Sequence, residues 1–121
     1  KDLPMSASTE EAFDRHLQAF GAGDVERLLA DCTEDSFVIG PMGVIKGLAG
    51  LRGFFEQICK EFGGAGTVFT LQQKVIEGEF VYITWSAETS ANTFSFGTDT
   101  FVVRNGKFAG QTFAGVITPK G

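Results

Sequence analysis

Apolar residues recur along the first half of the chain at helical spacing and along the second half in alternation. Phe13, His16, Leu17 and Phe20 fall on one face of a helix that runs to about Phe20. Ser8-Thr9-Glu10-Glu11 in front of them has the form of a capping box, and Gly21-Ala22-Gly23 ends the helix. Asp24 then caps a shorter helix that turns Val25, Leu28, Leu29 and Cys32 inward. Phe37-Val38-Ile39 is a brief β run, broken by Gly40-Pro41. After Gly47 a third helix carries a wide apolar stripe of Leu48, Leu51, Phe54, Phe55, Ile58 and Phe62, stopped by Gly63, Gly64 and Gly66.

From Thr67 the pattern becomes β. Strands are expected over about 67–76, 80–89, 93–104 and 107–118, with turns at Glu77-Gly78-Glu79 and Asn105-Gly106. The Asn-Gly pair is a strong hairpin signal, because both residues tolerate the positive φ of a type I′ turn. Helices followed by an antiparallel meander define an α+β fold, a curved sheet wrapped on helices. At 121 residues, with no repeat and no linker, the chain reads as one domain over 5–121. Lys1–Pro4 read as residues added or unstructured ahead of a natural start at Met5.

The penultimate strand poses the chemical question. A two-residue turn at Asn105-Gly106 sets Val103 opposite Phe108, Phe101 opposite Gly110 and Asp99 opposite Thr112. Alternation puts Asp99 on one face with Ser95, Gly97, Phe101 and Val103, and Phe94, Phe96, Thr98, Thr100 and Val102 on the other. An Asp99 facing a covered interior is desolvated, and its pKa rises. Such groups gather at functional sites, although hydroxyls of Thr98, Thr100 or Thr112 could equally satisfy a structural aspartate. His16 is the single histidine and sits on an apolar stripe, as a core residue or as a ligand contact titrating near neutrality.

Composition narrows the choices. Thirteen phenylalanines against one tyrosine and one tryptophan imply a greasy interior. A net charge of −5 without a basic cluster disfavours nucleic acid and anionic lipid. No apolar run approaches a membrane span, and no signal-peptide pattern opens the chain. Cys32 and Cys59 read as isolated thiols of a reducing, cytoplasmic compartment, a single disulfide being the alternative. No metal-ligand spacing or phosphate-cradling glycine loop is present, so neither a metal nor another cofactor is expected.

Several segments in order carry a family resemblance. A Gly-Asp pair follows the first helix, then come Glu34-Asp-Ser-Phe-Val-Ile-Gly-Pro41, Lys46-Gly-Leu-Ala-Gly-Leu-Arg-Gly-Phe-Phe55 and Asp99-Thr-Phe-Val-Val-Arg-Asn-Gly-Lys-Phe108. Together, over about 9–118, these resemble the SnoaL-like proteins of the superfamily of nuclear transport factor two, ketosteroid isomerase and scytalone dehydratase. The resemblance implies a cone-shaped α+β barrel, N-terminal helices in the concave face of a strongly curved sheet. It also implies a homodimer through the sheet's outer face and a small, mostly apolar ligand in the cone. His16 falls at the position of the isomerase's oxyanion-binding tyrosine, and Asp99 at that of its neutral, hydrogen-bond-donating aspartic acid. The aspartate that serves as general base there corresponds to Gly40, which cannot take a proton.

Three functions remain in play. One is acid–base isomerase, cyclase or dehydratase chemistry on a carbonyl or polyketide-like molecule, with Asp99 and His16 catalytic. Trp85, Phe101, Thr112, Phe20, Phe37 and Phe55 are then expected to line the pocket, Trp85 serving packing more than ligand stacking. The second is ligand binding without catalysis, which the missing base favours. The third is a homodimeric adaptor. For the dimer contact the expected patch is the Phe94 and Phe96 side of the sheet.

Overall fold

The computed structural model describes residues 5–121; the reading of Lys1–Pro4 as an extension lies outside the described residues. Three helices, α1 (Met5–Gly21), α2 (Val25–Ala30) and α3 (Leu48–Phe62), pack on one face of a six-stranded curved sheet. The strands are β1 (Phe37–Gly40), β2 (Gly43–Lys46), β3 (Val68–Glu77), β4 (Phe80–Glu88), β5 (Asn92–Arg104) and β6 (Lys107–Pro119), in the spatial order β2-β1-β6-β5-β4-β3. All neighbours are antiparallel except β1 and β6, which run parallel. This is the expected α+β fold with a mainly antiparallel sheet.

Local chemistry explains most boundaries. Asp24 caps α2 by accepting from the Arg27 N–H at 3.1 Å. Asn105 and Gly106 take φ of 55° and 74°, the positive pair that a type I′ turn demands. One expected start moves. Ser8 and Thr9 do not cap α1, which begins at Met5; Thr9 is buried, and its hydroxyl donates to the Gly78 carbonyl at 2.7 Å. The Gly40-Pro41 break is a tight connection into β2, an added hairpin strand pairing Phe37–Gly40 with Gly43–Lys46.

The core has two parts that meet at Cys32. One joins Ala12 and Phe13 of α1 to Val81, Ile83, Trp85, Phe101, Val103 and Phe108 of the sheet. The other joins Ala19, Leu28 and Leu29 to Val38, Leu51 and Phe55. Arg15 ties α1 to the end of α2 and to the β5–β6 turn, bonding the Asp31 carboxylate and the Gly106 carbonyl. The helix carrying His16 is thereby set against the hairpin carrying Asp99.

Two β-bulges correct the expected register. Val103 does face Phe108, but Val102 then faces Gly110, leaving Ala109 as the extra residue on β6. Phe101 therefore pairs with Gln111 rather than Gly110, and Asp99 with Phe113 rather than Thr112. The second extra residue is Ser95, between the pairs Phe94–Ile117 and Phe96–Val116. It reverses the alternation at the start of β5, so Phe94 turns inward and is 5% exposed, while Phe96 stays outside at 43%. Phe94 thus belongs to no outer patch. The outer face instead exposes Phe80, Tyr82, Phe96 and Val116. No helix among the described residues is long and apolar enough to cross a membrane.

Candidate functional site

Between the sheet's inner face and helices α1 and α3 lies a hollow of about 340 Å³. Trp85, Phe69, Phe94, Phe101 and Phe113 supply its sheet wall, and Phe20, Phe54 and Phe62 its helical wall. Ring centroids 5.1–6.2 Å apart, from Phe62–Phe94 to Trp85–Phe113, join Phe62, Phe69, Trp85, Phe94 and Phe113 of this wall into one aromatic cluster. The excess of phenylalanine in the sequence is spent here.

Asp99 reaches into this lining and is 7% exposed. Its Oδ1 accepts from Trp85 Nε1 at 2.7 Å and its Oδ2 from Gln111 Nε2 at 2.8 Å. Burial pushes its pKa above the ordinary carboxylate value, against the two hydrogen bonds, which favour the anion. The Trp85 contact depends on Gly97, the cross-strand partner of Trp85: a Cβ there would fall 2.3 Å from the indole. Glycine lets the ring lie flat on the strand and point its N–H at Asp99.

His16 lines the same hollow, held among aromatic edges with centroids 4.8 Å from Phe108, 5.2 Å from Phe101 and 6.4 Å from Phe55. The residue is half-buried, and it borders the hollow on one side and the aromatic rings on the other. Desolvation drops its pKa from 6.5 to about 4, only partly offset by the negative charge of Asp31. At neutral pH the imidazole is therefore uncharged, one nitrogen a donor and the other an acceptor. Among the described residues no hydrogen bond reaches it.

Of the side chains expected in the lining, Trp85, Phe101 and Phe20 are there with His16 and Asp99. Three are not. Thr112, displaced by the Ala109 bulge, pairs with Thr100 and is exposed. Phe37 lies over Gly110, where a Cβ would fall 2.6 Å from its ring. Phe55 is buried in the second core cluster, against His16 and apart from the main hollow. Phe37 and Phe55 instead border a minor space of about 10 Å³ behind His16.

Sequence reading missed Gln111, Phe94, Met42, Glu61 and Asn92. The first two are brought in by the bulges. Met42 comes from the β1–β2 connection, and it fills the space beside Gly40: a Cβ on that glycine would fall 2.8 Å from its sulfur. The position that the resemblance assigns to a general base thus holds a thioether's neighbour and no titratable group. Glu61 and Asn92 bring a second polar group to the lining, with Glu61 Oε2 accepting from Asn92 Nδ2 at 2.6 Å and from Thr89 Oγ1 at 2.8 Å. No group of three or more potential metal ligands occurs among the described residues.

A curved sheet closed over by helices around an aromatic hollow defines the cone-shaped, NTF2-like class of α+β proteins. The family model of the SnoaL-like domain matches residues 13–111, and the chain belongs to that family. Solved structures agree on the fold. The epoxide hydrolase/cyclase-like enzyme SalBIII, described in pyran ring formation in the polyether salinomycin, superposes with a TM-score of 0.80 at 16% identity, over 98% of this chain and 100% of that one. An NTF2-like protein of unknown function from Mesorhizobium loti gives 0.79 at 18% identity, covering 96% and 97%. An LEH-like epoxide hydrolase of Mycobacterium tuberculosis gives 0.73 at 14% identity, covering 93% and 86%. A search of curated protein sequences returned no match.

Proposed function

We propose that this protein binds a small, mostly apolar carbonyl or polyketide-like molecule in the cone. The observation that carries the reading is the 340 Å³ aromatic hollow with a buried carboxyl, Asp99, held in its wall. Such a volume falls within the range of small-molecule pockets, and few fixed polar groups in a greasy lining suit an apolar body with one or two polar atoms. Structural relatives described as epoxide hydrolases or a cyclase-like enzyme are consistent with a ligand of this kind.

Acid–base chemistry on that ligand is the extension favoured by one further observation. A neutral imidazole and a carboxyl of raised proton affinity line the same mostly apolar space. Asp99 in its acid form would donate to a carbonyl oxygen, and His16 would accept a proton from, or donate one to, the neighbouring carbon skeleton. An isomerisation of this type returns the proton it removes and needs no co-reactant. With Gly40 in place of a carboxylate, the isomerase's own base is missing, so the proton transfer would fall to His16. Turnover of a panel of enones and cyclic ketones tests the extension: Asp99→Asn should lower it by roughly a hundredfold or more. Equal rates in both proteins remove the catalytic role and leave binding.

The outer sheet face, with Phe80, Tyr82, Phe96 and Val116 uncovered, is the proposed contact of a homodimer. The free cysteines fit a reducing cytoplasm. Light scattering at micromolar concentration should return twice the chain mass, and a monomer would refute the contact. An adaptor role through that face is the alternative reading. It predicts partner binding indifferent to changes at His16 and Asp99.

A further inference from the structure

The polar groups of the hollow are unbalanced in kind. No lysine, arginine, serine, threonine or tyrosine side chain is in the lining; the polar atoms belong to His16, Asp99, Gln111, Glu61 and Asn92. One N–H of the Gln111 amide is held by Asp99 and one of the Asn92 amide by Glu61, so each amide keeps a second N–H. No cationic side chain is among them, and both charged-type groups, Asp99 and Glu61, are carboxyls.

Glu61 is the one carboxyl among them with an oxygen that no described residue bonds. It sits in the last turn of α3, half-buried, with Oε2 gripped by Thr89 of the β4–β5 connection and Asn92 at the start of β5. Thr89 is itself 2% exposed and held by the Ala91 and Asn92 backbone N–H groups, so the carboxylate is fixed by a rigid turn. Its Oε1 takes no hydrogen bond among the described residues. A carboxylate oriented through one oxygen, with the other uncommitted on the wall of an aromatic cavity, is a built acceptor site.

We propose that Glu61 is a specificity-determining residue that accepts a hydrogen bond from a hydroxyl or amino group of the ligand. The cavity then selects neutral or cationic donor-bearing apolar molecules and rejects carboxylates. This rests on the proposed binding function and adds the ligand's polar character to it. Rejection follows from physics as much as recognition: an anionic ligand would lose its water, meet no cation and face Glu61 across a medium of low dielectric constant. A cationic amine would gain the faces of the surrounding rings as well as the carboxylate.

Four probes with one skeleton test it: methylnaphthalene, naphthylmethanol, naphthylmethylamine and naphthoate, with binding followed by fluorescence of Trp85. Naphthylmethanol and naphthylmethylamine should each bind at least about tenfold tighter than naphthoate, a gap of ~1.4 kcal/mol. In Glu61→Gln the gap should shrink about fivefold or more, while methylnaphthalene affinity is unchanged. Naphthoate binding as tightly as the alcohol, or an unaltered order in Glu61→Gln, overturns the proposal. Should Glu61→Gln melt without cooperativity, Glu61→Asp keeps the charge and shortens the reach. Loss of the alcohol's advantage over methylnaphthalene there supports the contact, and unchanged alcohol affinity overturns it. Methylnaphthalene separates the two levels: if it binds and the order fails, only the role of Glu61 falls, whereas if no probe binds, the binding function falls with it.

Discussion

Asp99 and Glu61 present carboxylates to the same hollow and are held in opposite ways. Asp99 lies mid-strand with both oxygens taken, by an indole N–H and an amide, and burial raises its proton affinity. Glu61 ends a helix with one oxygen taken twice and the other uncommitted. The first is a clamped group whose protonation is the variable. The second is a charged acceptor whose contact with a ligand is the variable. A pocket with two such carboxylates can separate proton handling from recognition.

The largest effect should come from breaking the Asp99 side alone. Gly97→Ala drives a methyl group into the Trp85 ring, which withdraws the N–H from Asp99 and overpacks the wall. A loss of about 3 kcal/mol in chemical unfolding is expected. Glu61, on the other polar cluster, should keep its selectivity in the surviving folded fraction. An unchanged unfolding midpoint would mean that the indole does not rest on this glycine.

His16 sharpens the contrast through pH. The folded chain keeps this imidazole neutral down to about pH 4, whereas in the unfolded chain it gains its proton near 6.5. Between those values the unfolded state binds more protons, so the contribution is complete above pH 6.5 and is lost as pH falls towards 4. At ~1.4 kcal/mol per pH unit this amounts to about 3 kcal/mol. His16→Gln should remove that acid-sensitive part, seen as a flatter dependence of Tm on pH. Parallel curves would contradict a neutral, desolvated ring.

Asp99→Asn should act with the opposite pH sense and a smaller size. The carboxylate's desolvation cost is present above its raised pKa and relieved below it. The amide substitution should therefore stabilise at pH 8, with the gain fading as pH falls through the raised carboxyl pKa. The oxygen of the introduced amide still accepts from Trp85, and Gln111 needs only to turn its own amide over to accept at the other position. Destabilisation at pH 8 would show that the charge itself is favoured in place.

How much of this was legible in the sequence follows from what side chains can signal. The helical stripe of Phe13, Leu17 and Phe20, the Asp24 cap and the Asn105-Gly106 turn each have a residue whose chemistry names the structure, and each was placed correctly. Bulges have no such residue. Ala109 and Ser95 look like ordinary strand positions, yet each shifts every residue beyond it by one. The Ala109 bulge put Phe113 in place of Thr112 opposite Asp99 and turned Gln111 inward to donate to its carboxylate, and the Ser95 bulge moved Phe94 from the outer face to the cavity. Glu61 was hidden differently. It flanks the stripe of α3, and only the tertiary approach of Thr89 and Asn92 reveals that it faces inward.

The central claim is that the hollow is a ligand site, and the chain carries its own probe, since Trp85 is its single tryptophan and lies in the wall. Trp85 emission should be followed while naphthylmethanol is titrated into the wild type and into Ile58→Phe, where the added ring fills part of the space. The account predicts a saturable one-to-one change in the wild type, weakened by about tenfold or more in the filled variant. No saturable change in the wild type, or equal affinity in both proteins, would contradict it.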